Sequence, residues 1–65
     1  MNLYRVWFMG RESTLRVVAS TGRALRTYLT EQGYNSRVIE YTDQRTITKE
    51  TADRLVKEGL ALDAR

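Results

Sequence analysis

Cysteine and histidine are both missing from these 65 residues. Without cysteine there is no disulfide, and without either residue there is no ordinary zinc or copper site. The missing histidine is also the side chain most often recruited for general acid–base chemistry near neutral pH, and the missing cysteine the most reactive nucleophile. Long apolar runs are lacking too. The longest, Val6 to Met9, falls far short of the roughly 20 residues that cross a bilayer. No basic stretch followed by an apolar segment opens the chain, so no secretory signal is read. A cytoplasmic protein with no membrane segment, no metal and no cofactor is expected.

What remains is enough for one domain, residues 1–65, and little more. A chain of this size buries only about 60% of the surface its unfolded form exposes, so a partner or a second copy often supplies missing stability. Charge is unevenly distributed along it. Residues 1–37 carry six Arg against Glu12 and Glu31, a net of +4; residues 38–65 carry five basic against six acidic side chains, a net of −1. A basic front half suits an anionic partner or a solvated face.

The hydropathy pattern predicts the order ββαβα. Leu3 to Met9 alternates, with Tyr4, Val6 and Phe8 on one face and Arg5, Trp7 and Met9 on the other. Gly10 to Ser13 turns the chain into a second strand, Thr14 to Ala19, in which Leu15, Val17 and Ala19 oppose Arg16 and Val18. Ser20 or Thr21 then caps a helix bearing Ala24, Leu25, Tyr28 and Leu29, and Gly33 ends it in the left-handed position, with Tyr34 closing on Leu29. Arg37 to Thr42 is the third strand, with Arg37, Ile39 and Tyr41 on one side and Val38 and Glu40 on the other, and Asp43-Gln44 the turn after it. Thr48 caps a second helix with Ala52, Leu55 and Val56 on its inner stripe; Ile47 staples onto Ala52, and Gly59 stops the helix with Leu60 closing on Leu55. Asp63 to Arg65 reads as a frayed tail. The expected fold is therefore compact α+β: a three-stranded, mainly antiparallel sheet of order 2-1-3 with both helices on the Tyr4/Val6/Phe8 face.

Catalysis fits this inventory poorly, and an enzyme is not expected. The carboxylates of the second helix fall into i, i+4 pairs, Glu50–Arg54 and Asp53–Lys57, each contributing about 0.2–0.5 kcal/mol as a solvated ladder. Binding fits better. If both helices cover one face, Arg5, Trp7, Met9, Arg16, Val18 and Val38 are left on the other. Trp, Met and Arg are enriched at interface centres, and Trp and Arg dominate hot spots. That face is expected to engage a protein partner or to form a homodimer. A small domain without catalytic equipment has the general make-up of the accessory proteins of phages and mobile elements, many of which inhibit a host enzyme or defence complex; no specific motif carries that likeness.

A second surface lies at the start of the first helix. Ser20, Thr21, Gly22 and Arg23, with Arg26 one turn on, combine hydroxyls, a glycine and guanidinium groups at a positive helix end, which suits a phosphate or nucleotide. The same residues also make an ordinary cap and solvated face, and the Gly/Lys pattern of a phosphate loop is missing. Nucleic acid is a third candidate partner, through Trp7 between Arg5 and Arg16. Only two lysines and no base-stacking signature accompany it.

Overall fold

The computed structural model describes residues 1–10, 12–35, 37 and 39–65, leaving aside the side chains of Glu40 and Tyr41. Strand β1 (Asn2–Phe8) pairs antiparallel with β2 (Thr14–Ala19), Tyr4 opposite Val17 and Val6 opposite Leu15. Helix α1 (Gly22–Glu31) starts where Thr21 adopts extended backbone and its Oγ1 accepts from the Ala24 N–H at 3.1 Å. It stops at Gly33, whose φ of +89° is open only to glycine without strain. The Tyr34 N–H then donates to the Leu29 carbonyl at 2.9 Å, the expected closure. Strand β3 (Ile39–Thr46) lies antiparallel to β1 on its other side. Helix α2 (Lys49–Lys57) is capped by Thr48, whose Oγ1 accepts from the Thr51 N–H at 3.1 Å. A short β4 (Leu62–Asp63) then pairs parallel with β2, giving a mixed four-stranded sheet of order β3-β1-β2-β4.

The α+β class stands, as does the placing of β1 between β2 and β3. The sheet differs in having a fourth strand, and the helices do not share a face. Tyr4, Val6, Phe8, Val17 and Ala19 form one buried layer with Leu25 and Leu29 of α1. By register, Leu3, Arg5, Trp7, Arg16 and Val18 occupy the opposite face. Val18 there is 0% exposed, as is Ala52 of α2, and neither belongs to the layer beneath α1. Helix α2 therefore covers that opposite face. Arg65 ties it down, pairing with Asp53 on α2 while its own strand end carries Asp63.

Local expectations are also corrected. Asp43-Gln44 is not a turn: β3 runs through both residues to Thr46, because Arg5 and Tyr4 of β1 offer them ladder partners. The N–H of Arg37 donates to Asn35 Oδ1 at 2.9 Å, a local turn that holds Arg37 outside the strand. A register shift between Trp7 and Phe8 sets Ile39 opposite Phe8, and the expected placing of Tyr41 falls on a side chain outside those described. The tail is ordered rather than frayed, since the Ala64 N–H donates to the Val18 carbonyl at 2.8 Å.

Candidate functional site

Alternation along β1 fixes where the side chains of interest point. Arg5 stands between Arg16 of β2 and Asp43 of β3, directly opposite each. Like charges set across a ladder repel, and the Arg5 guanidinium leans along its own strand instead, 5.6 Å from the centroid of the Trp7 ring. Arg5 and Arg16 are exposed and Trp7 is half-buried. Met9, just past the strand, is 59% exposed.

Of the six residues assigned to the open face, Arg5, Met9 and Arg16 are exposed and Trp7 is half-buried. Val18 is on the expected face but sealed beneath α2, so it is no contact residue. Val38 lies outside the described residues. Sequence reasoning missed Leu60 and Leu62, which are 50% and 39% exposed beside a groove of about 480 Å³ next to Thr14 and Arg16. The backbone closure of α2 does form, Leu60 N–H to Leu55 carbonyl at 2.9 Å, but the Leu60 side chain stays open to solvent. The alternation Leu60-x-Leu62 was the available signal, weak because only two residues of strand follow.

The helix-start residues are divided rather than gathered. Thr21 uses its hydroxyl as the cap. The backbone carbonyl of Ser20 accepts from Asn2 Nδ2 at 3.2 Å. Gly22 needs no special backbone, and a Cβ there would meet only the Tyr4 hydroxyl, at 3.9 Å. Arg23 lines a groove of about 470 Å³ between α1 and the C-terminal segment, together with Glu31 and Asp63. Arg26 lines a different one, about 370 Å³, between α1 and β3.

The ion pairs among the described residues belong to Arg65. Its guanidinium grips Asp63 through Nε at 2.9 Å and through a second nitrogen at 3.1 Å, and also reaches Asp53. The hydrogen bond from the Arg65 side chain, then that from its backbone N–H, holds the Asp63 carboxyl below its ordinary range. Those same carboxylates, Asp63 first, raise the Arg65 guanidinium further. No group of three or more His, Cys, Asp or Glu among the described residues is placed to hold a metal. No helix among them is long and apolar enough to cross a membrane. The chain matches no protein family, no curated protein and no solved structure.

Proposed function

We propose that the protein is a non-catalytic binding module that engages a protein partner through the end of the sheet around Trp7. The Arg5–Trp7 pair carries the reading: an exposed guanidinium already stacked 5.6 Å from a half-buried indole. Preassembly of that kind lowers the entropy lost on binding, and these two residue types dominate binding hot spots. Met9 and Arg16 extend the surface, one apolar and one cationic. Such a face on so small a domain suits an inhibitor that occupies a host enzyme or defence complex by surface complementarity.

An anion seat at Ser20, Thr21, Gly22, Arg23 and Arg26 draws less support. The capping hydroxyl is already engaged, and Arg23 and Arg26 line separate grooves.

Photo-crosslinking in cells tests the proposal, with the reactive residue placed at Met9 and, as a control, at exposed Thr27 of α1. Position 9 is expected to trap a protein, and Trp7→Ala to remove most of that adduct, while position 27 traps none. Equal trapping at both positions, or an adduct indifferent to Trp7→Ala, would refute it. Nucleic-acid adducts at position 9 would favour the anionic partner instead.

A further inference from the structure

Strand β3 is an edge of the sheet, and its last five residues read Thr42-Asp43-Gln44-Arg45-Thr46, all with exposed side chains. That stretch is complementary to itself when reversed. Turned antiparallel about Gln44, threonine meets threonine, aspartate meets arginine and glutamine meets glutamine. We propose that this edge pairs with the same edge of a second copy, so that two four-stranded sheets become one of eight strands across a two-fold axis through Gln44.

The backbone phase agrees with the side-chain pattern. The Ile47 N–H donates to the Met1 carbonyl at 2.9 Å, and the β1–β3 register then directs the backbone groups of Asp43 and Arg45 toward β1. Those of Thr42, Gln44 and Thr46 alternate with them and point outward, away from β1. An antiparallel partner centred on Gln44 satisfies these outward groups in full: Gln44 with Gln44, and Thr42 with Thr46 twice. Asp43 and Arg45 then fall at the non-hydrogen-bonded positions, where opposing side chains come closest.

Charge selects this pairing over others. Neither Asp43 nor Arg45 is joined to another described residue by an ion pair. Antiparallel pairing about Gln44 forms two Asp43–Arg45 pairs, whereas parallel in-register pairing would set Asp43 against Asp43 and Arg45 against Arg45. Edge strands are commonly protected from self-pairing by charged side chains, lysine above all; this one carries both signs, arranged so that each meets its opposite across the two-fold. The groove between α1 and β3, lined by Tyr4, Leu25, Leu29, Ile39, Thr42 and Gln44, adjoins the same edge. The two-fold brings it beside its counterpart and adds contact beyond the ladder.

Sedimentation equilibrium of the full chain tests the inference. The wild type is expected at twice the 7.6 kDa chain mass at high micromolar concentration. Gln44→Pro removes an outward N–H, which an edge strand tolerates, and is expected to give folded monomer. D43R and R45D each set like charges opposite one another and should each weaken the dimer at least about tenfold. Mixing the two variants in equal amounts should restore a mixed dimer, because each then supplies the charge the other lacks. Met9→Glu should leave the dimer intact, which separates this edge from self-association through the Trp7 face. A wild type that stays monomeric would overturn the inference. So would a dimer indifferent to Gln44→Pro, or charge variants that do not recombine.

Discussion

Val18 and Trp7 share a face of the sheet, yet their surroundings differ because α2 passes over one end of that face. Val18 on that face and Ala52 of α2 are both 0% exposed. Val18→Ala should therefore cost about 2 kcal/mol, from lost transfer energy and from the cavity that remains. For a domain of this length each kcal/mol corresponds to roughly 4–8 °C in Tm. Urea denaturation of the two proteins gives the difference directly. A change of only a few tenths of a kcal/mol, as on an open surface, would place Val18 outside any packed layer.

At the scale of elements, the C-terminal segment is held by pairing that depends on pH. Asp63 has its folded pKa depressed by the Arg65 side chain and backbone N–H. Its contribution to stability is accordingly complete above the unfolded carboxylate value of about 3.9 and is lost as pH falls through the lower folded value. Carboxyl NMR titration should place Asp63 below the ordinary aspartate range in the wild type and return it there in Arg65→Ala. An unchanged midpoint would show that Arg65 does not hold it. This segment also marks where sequence reading ends. Both helices, their threonine caps and their glycine stops were legible because each is specified within a few neighbouring residues. Strand β4 was not, since two residues have no period. The extension of β3 through Asp43-Gln44 was hidden for a related reason: turn-forming side chains were overruled by ladder partners on β1 far away in sequence. The same gap governs the candidate site. Arg5, Trp7, Met9 and Arg16 follow from alternation alone, but the loss of Val18 to α2 depends on β4.

The whole molecule turns on that dependence. From β2 the chain crosses β1 to reach β3, and α1 covers one face on the way. From β3 it returns across β1 and β2 to reach β4, travelling in the opposite direction between parallel strands. Two such crossovers share one hand only when their helices lie on opposite faces, and right-handed connections prevail in nearly all sheets. Two residues of strand thereby decide which side a nine-residue helix occupies. If that is so, weakening β4 should loosen α2 far more than α1, whose ends are anchored by β2 and β3. Ala64→Pro deletes the N–H that donates to Val18 at 2.8 Å, a bond worth about 0.5–1.5 kcal/mol in net stability. Native-state hydrogen exchange should then show protection falling across Lys49–Lys57 while Gly22–Glu31 changes little. Equal losses in both helices would mean that the sheet and its two layers open as one unit, and that β4 does not govern the placement of α2.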